Sequence, residues 1–392
     1  MRLGWLAVCL AACTDPAPPA PSPAIQQSAD PKPRAPAEEK RAATRALFES
    51  YPALEKRLPW RVLGELPTAV ESAAALGQAI GIERLYLKRD DRAGNVYGGG
   101  KLRKLEPFLG DAARKRSKTL ITTGGVASNQ ALATALYGKQ QGFSVTLLLL
   151  SQAPSAEARE HLLAEHALGA RLELLGAVGD ENAALERRAR RDPESYVIPA
   201  GGTTPLGDTG FVNAGFELAA QVKAGVLPEP DFVYLPLGTG GSAAGLAVGL
   251  SVAGLRTRVV AVRVATERYG THAKLMSEAK RVSDYLHGLD ATFPDRALEP
   301  DRIRVENGFV GRGYAVPSAE GGRAQKLAEK HGIVLDATYS AKTLAALMAN
   351  AEGIRKNVVV FWLTYDARRV PSAGVDYREL PRSFHVFFRE RG

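Results

Sequence analysis

From about residue 45 onward, short apolar runs alternate with amphipathic stretches. Residues 85–88 (Leu-Tyr-Leu-Lys) read as a strand and 102–116 as a helix. A strand at 119–122, a helix at 130–141 and a strand at 144–149 follow. Residues 156–168 read as helix and 171–174 as extended. Further on, 211–223 is helical, 232–235 and 259–264 are strands, 323–331 and 343–351 are helices, and 358–363 is a buried strand. This order predicts an α/β fold with parallel sheets covered by helices. In such sheets ligands sit in loops beyond the carboxyl ends of the strands. No internal repeat is visible.

Composition changes this picture little. The 392 residues suit two or three domains by length, and 45% hydrophobic and 24% charged residues exclude a collagenous or disordered chain for the bulk of it. A net charge of +9 favours anionic ligands without specifying a fold. The arginine cluster Arg187, Arg188, Arg190 and Arg191 has acidic neighbours and no interleaved aromatics. It reads as a solvated helix face, and nucleic acid is not an expected partner.

The first 40 residues differ from the rest. An apolar run, 3–12, follows Arg2 and is too short to span a bilayer. It suits the apolar region of an export signal. Leu10-Ala11-Ala12-Cys13 resembles a bacterial lipobox, which implies a signal peptide at 1–13, lipidation of Cys13 and a membrane anchor facing the periplasm. Cys9 would leave with the signal. Residues 14–40 are proline-rich and read as a disordered tether. A chance apolar start would instead leave the protein cytoplasmic.

Four loops carry candidate chemistry. The first is Tyr97-Gly98-Gly99-Gly100-Lys101, at the start of a helix. Glycines allow close backbone approach. A lysine at a helix N-terminus is disfavoured as a cation, so its amine is a candidate nucleophile. A P-loop is excluded, because Asn95 and Leu102 stand where glycine and Ser/Thr are needed. The second is Ser128-Asn129-Gln130, between strand and helix. It suits either a carboxylate site or a plain capped helix. The third is Gly238-Thr239-Gly240-Gly241-Ser242, whose amides suit a phosphate. With Glu267 on a ribose it would instead suit a dinucleotide. The fourth gathers Tyr314, Asp336 to Tyr339 and Ser340, and Leu363 to Asp366. The histidines are scattered, and no metal site is expected.

In this order the loops resemble the 1-aminocyclopropane-1-carboxylate deaminase and D-cysteine desulfhydrase family of pyridoxal-phosphate enzymes, of the tryptophan-synthase-beta type. The likeness runs from about Leu66 to Thr364 and includes 196–202 and 205–207. It implies two three-layer α/β/α domains with the cofactor in the cleft between them. The smaller would be 105–215, inserted between 45–104 and 216–392. Carried over, Lys101 is the Schiff-base lysine. Asn129 bonds the cofactor's ring oxygen. Ser128 and Gln130 face the substrate carboxylate, Ser128 as a possible participant in catalysis. Gly238, Thr239, Gly240, Gly241 and Ser242 hold the phosphate. Tyr314 and Tyr339 flank the substrate, and Thr364 faces the pyridine nitrogen. The resemblance also implies a homodimer acting on a small amino acid. Ser340 and Thr364 side with D-cysteine desulfhydrases, while Gln130 sides with the ring-opening deaminases. Gly100, Leu363, Tyr365 and Asp366 depart from the family pattern, and Asp366 would add a carboxylate near the ring nitrogen or the substrate. An inactive, lipid-anchored binding protein of the same descent is the alternative from another class.

Overall fold

The computed structural model describes residues 45–176, 181–295, 298–372 and 374–389. Cys9, Cys13 and the 14–40 tether therefore lie outside the described residues. The elements in chain order are α1 (Ala46–Ser50), α2 (Pro52–Arg57), β1 (Val70–Ser72), α3 (Ala74–Ile80), β2 (Arg84–Lys88), α4 (Gly100–Arg114), β3 (Thr119–Gly125), α5 (Asn129–Gln140), β4 (Ser144–Leu150), α6 (Ala156–Ala167) and β5 (Arg171–Leu175). Then come α7 (Glu181–Ala189), β6 (Ser195–Ile198), α8 (Pro205–Lys223), β7 (Phe232–Leu237), α9 (Gly241–Val252), β8 (Arg258–Arg263), α10 (His272–Leu289), β9 (Ile303–Glu306), α11 (Ala319–Glu329), α12 (Ser340–Asn350) and β10 (Val358–Trp362).

Two sheets form. The larger has the order β1-β2-β10-β7-β8-β9, all parallel except the edge strand β1. The smaller has the order β5-β4-β3-β6 and is wholly parallel. Alternation along the strands divides the larger sheet between two cores. Val233, Leu235, Val259 and Val360 face α8, α9 and α10. Tyr234, Val260, Val359 and Phe361 face α3, α11 and α12. Helices thus cover both faces, as the continuous apolar runs of buried parallel strands require.

The smaller sheet packs Leu120, Val145, Leu147 and Ile198 against α4 and α5. Its other face, with Ile121 and Leu148, takes Leu185 of α7.

Two segments pack across the expected domain boundaries. Helix α8 is a single element from Pro205, and its Phe211 and Val212 sit in the larger sheet's core, so 215 is not an edge of the smaller half. The C-terminal stretch, expected with the larger half, instead places Leu380, Phe384 and Phe387 in the smaller sheet's core. Four aromatic residues in twelve positions (Tyr377, Phe384, Phe387 and Phe388, with Tyr377 stacked on Phe388) make this tail a cover rather than an extension. Among the described residues no helix is long and apolar enough to cross a membrane.

Candidate active site

The carboxyl ends of both sheets open onto one cavity of about 250 Å³. That is room for a small molecule rather than a single water. Lys101, Asn129, Gly201, Thr239, Tyr339 and Thr364 are among the residues that line it. Loops following β3, β4, β6, β7, β8 and β10 all reach it, as the topology of parallel sheets dictates.

Lys101 is the second residue of α4. The loop before it lies directly on the Thr364 backbone. Gly100 N–H donates to the Thr364 carbonyl at 3.0 Å. Gly99 has φ +86°, and a Cβ there would come within 2.7 Å of that same oxygen, so only glycine fits. The Lys101 amine donates to the Gly201 carbonyl at 3.3 Å and pairs with no carboxylate among the described residues. Burial first and the nearby Lys104 second, against an opposing pull from Asp208, lower its pKa to about 7. Such an amine is substantially neutral near neutral pH, which is what a nucleophile or a proton acceptor needs. Lys104 itself pairs with the buried Asp208 at 3.0 Å and donates to Gly201 at 3.1 Å.

In the second loop the expected helix cap is present. Ser128 caps α5, its Oγ accepting from Ala131 N–H at 3.3 Å. The cap aims the next two side chains at the cavity. Gln130 is buried, and neither its amide oxygen nor its nitrogen has a partner among the described residues. A buried amide left open in this way costs free energy unless a ligand satisfies it. Asn129 accepts from the Tyr97 hydroxyl at 2.7 Å.

The third loop joins β7 to α9, with Gly240 at φ +104°. Gly238, Thr239, Gly240 and Ser242 line the cavity. Gly241 does not. It lies against Asp208, whose Oδ1 would be 2.0 Å from an added Cβ. The loop thus brings the unpaired amides of the α9 N-terminus to the cavity wall. Glu267 is exposed and outside the cavity lining, so the dinucleotide reading loses its ribose ligand.

Tyr314 and Tyr339 meet, hydroxyl to hydroxyl, at 2.5 Å with their rings edge-on. Thr364 and Tyr365 line the wall by α4. Three residues depart from expectation. Asp366 does not reach the cavity: its carboxylate accepts from Gly98 N–H at 2.6 Å and pairs with Arg368. Arg368 in turn donates to the Asn95 and Gly94 carbonyls, so the pair staples the glycine loop. Ser340 is also turned inward, donating to Asp336 at 2.6 Å as part of the cap on α12. Leu363 packs in the larger sheet's core.

Several lining or supporting residues were not expected from the sequence, among them Tyr97, Lys104, Asp208 and Gln152. Lys104 had a signal, since it lies one helical turn from Lys101. Asp208 had one too, a carboxylate directly after the 205–207 run. Tyr97 and Gln152 had none.

These residues fit pyridoxal phosphate. An amine at Lys101 with its pKa lowered to about 7, the glycine-rich loop at the α9 N-terminus through Gly238, Thr239, Gly240 and Ser242, an open amide at Gln130 and a hydroxyl at Thr364 all lie on one cavity. Comparison with known proteins agrees. Residues 62–364 match the profile of a family described as pyridoxal-phosphate dependent enzyme. Nocardicin C-9' epimerase of Nocardia uniformis subsp. tsuyamanensis is 35% identical over 296 residues, covering 73% of this chain and 87% of that protein. A Thermotoga maritima protein provisionally named 1-aminocyclopropane-1-carboxylate deaminase is 30% identical over 319 residues, covering 78% and 97%. A crystal structure of a 1-aminocyclopropane-1-carboxylate deaminase homologue superposes with TM-score 0.68 at 26% identity, covering 83% of this chain and 96% of that one. Threonine deaminase isoform 2 of Solanum lycopersicum gives TM-score 0.57 at 21% identity, covering 84% and 86%, a likeness of fold alone.

Proposed function

The chain belongs to the pyridoxal-phosphate dependent enzyme family, and from that premise we propose that it is a lyase acting on a small amino acid, with β-elimination from D-cysteine as the first activity to test. The observation that carries this reading is the Lys101 amine, half-buried, with its pKa lowered to about 7 and sharing one cavity with Gln130. Pyridoxal phosphate, when bound, supplies the electron sink for a bond broken at the substrate α-carbon.

The protein's own residues do the rest. Lys101 would hold the cofactor through its amine, and that amine, on the cavity wall, is placed to take a proton from the substrate α-carbon. Gln130 and Ser128 orient the substrate carboxylate. Asn129 would face the ring oxygen, and the amides of 238–242 would receive the phosphate. Tyr314 and Tyr339 would flank the substrate and can pass a proton between their hydroxyls. Thr364 would offer the ring nitrogen a neutral partner, which would favour prompt loss of a β-substituent. The balanced outcome is D-cysteine and water giving pyruvate, ammonia and hydrogen sulfide.

Ring opening of 1-aminocyclopropane-1-carboxylate is the second reading. The open amide of Gln130 and the Thermotoga relative's name favour it. Ser340, which lies outside the cavity lining, no longer weighs against it. The experiment is the visible spectrum of the purified protein beside Lys101→Ala, followed by assays with D-cysteine, D-serine and the cyclopropane amino acid. A band that borohydride bleaches and the variant lacks supports the reading. A protein that shows no band after addition of pyridoxal phosphate overturns it. Exchange of the α-proton for solvent deuterium without elimination would point to epimerisation instead, the activity in the Nocardia relative's name.

We propose further that the chain is exported, anchored through a lipid on Cys13 and assembled as a homodimer. The apolar run, the lipobox-like tetrapeptide and the proline-rich tether support the first two. Membrane partition of the full chain against Cys13→Ser, and light scattering of the soluble domain, test them.

A further inference from the structure

We propose that Tyr97 is a positioning residue that fixes which end of the Asn129 side-chain amide faces the cofactor. The proposal rests on the pyridoxal-phosphate reading of the site and deepens it.

The Tyr97 hydroxyl lies 2.7 Å from Asn129 Oδ1. The two residues come from different loops, 32 positions apart, on either side of α4. Tyr97 is 2% exposed, and Asn129 is the one hydrogen-bond acceptor of its hydroxyl among the described residues. An O–H must donate to an acceptor when buried. That requirement selects the amide oxygen and turns the amino end of Asn129 away from Tyr97. Asn129 lines the cavity, and its amino group makes no other hydrogen bond among the described residues. The donor end is therefore the end offered to a ligand. Were the amide reversed, the Tyr97 proton would have no acceptor and the cavity would face a carbonyl oxygen, which repels an anionic ring oxygen.

Tyr97 is itself held rigidly. Its carbonyl accepts from the Tyr137 hydroxyl, and Gly98 beside it donates to Asp366 at 2.6 Å. Gly94 passes so close that a Cβ there would lie 2.2 Å from the Tyr97 carbonyl oxygen. Burial holds the Tyr97 pKa well above 10, with the carboxylates of Asp366, Glu157 and Asp336 adding to the effect, so the group stays a donor at every working pH. The same tyrosine sits in the smaller sheet's core, which ties the loop before Lys101 to the loop that presents Asn129.

A hydrogen bond donated to an oxyanion favours the anion. With Asn129 fixed, the cofactor's ring oxygen is a weaker base, and the bound chromophore sheds its proton at lower pH. The test is the pH midpoint of the visible absorption band in the holoenzyme, for the parent, Tyr97→Phe, Asn129→Ala and the double variant. Tyr97→Phe removes one oxygen and keeps the ring in the core. It is expected to raise the midpoint by roughly half a unit to one unit, the size of one neutral hydrogen bond. Asn129→Ala should raise it at least as far, and the double variant should match Asn129→Ala alone. A midpoint unchanged in Tyr97→Phe, or shifts that simply add, overturns the proposal. A parent protein with no band at all would overturn the cofactor reading instead, so the two failures are distinguishable. If Asn129→Ala fails to fold, an unchanged midpoint in Tyr97→Phe alone still decides against it.

Discussion

Lys101 occupies a position that suits a cation poorly: the first turn of α4, half-buried, with a second lysine one turn away. The physical consequence is a reactive amine. In cofactor-free protein, labelling of Lys101 by an amine-reactive reagent should rise with pH and level off above about 7, followed by peptide mass spectrometry. Labelling that keeps climbing above pH 9 would mean an ordinary lysine. Gly241 is the other residue whose identity is dictated by contact. A Cβ there would press on the Asp208 carboxylate and the Lys104 amine. Overpacking of this kind costs roughly 1–3 kcal/mol, so Gly241→Ala should weaken pyridoxal-phosphate retention about tenfold. Equilibrium dialysis reads it. Unchanged retention would show that the pair beneath the loop can move aside.

At the scale of elements, α6 carries two buried groups that the proposed chemistry does not use. Glu165 has neither carboxylate oxygen partnered among the described residues, and His161 leaves Nδ1 unpartnered. Burial raises the Glu165 pKa well above 4.5 and lowers that of His161 to about 4. The signs follow from linkage. Folded protein keeps a proton on Glu165 that the unfolded chain releases above its ordinary value, so this group's contribution to stability is lost as pH rises through about 4.5 and beyond. His161 acts oppositely, costing stability as pH falls from 6.5 to about 4. Glu165→Gln removes the first effect. It should stabilise the protein at pH 8 by about 1–3 kcal/mol and scarcely at pH 4. Paired urea denaturations at the two pH values check this, and an equal gain at both would refute the assignment.

For the molecule as a whole, a buried ionic network joins the parts that build the site. Arg103, two residues after Lys101, bonds Asp90 at 2.7 Å and Glu217 of α8 at 2.9 Å. Asp90 also accepts from Trp362 Nε1 at 2.7 Å, two residues before Thr364. Lys88 at the end of β2 completes the group on Glu217. Burial raises the Glu217 pKa, but its two cations outweigh that and hold it well below the usual range. Breaking such a network strands its carboxylates. Arg103→Leu should cost about 3–5 kcal/mol in urea denaturation and displace Lys101 and Thr364 together. A loss under about 1 kcal/mol would show that Lys88 alone suffices.

The sequence alone determined much of this protein. Alternating apolar runs specify parallel strands and covering helices because their period is local, set by the pleat and the helical turn. The glycine-lysine, Ser-Asn-Gln and glycine-rich loops were legible for the same reason, each being a short contiguous stretch with its own chemistry. Only the tertiary structure decided what depends on partners far along the chain. Asp366 reads as a site carboxylate until Gly98 and Arg368 are seen to use it. Ser340 reads as a specificity residue until Asp336 claims its hydroxyl. The tail beyond Val370 has no periodic pattern and acquires meaning only from the apolar surface it covers. Tyr97 becomes more than packing through one contact 32 residues away. Direction and partnership of a side chain are properties of the packed molecule, and no spacing along the chain encodes them.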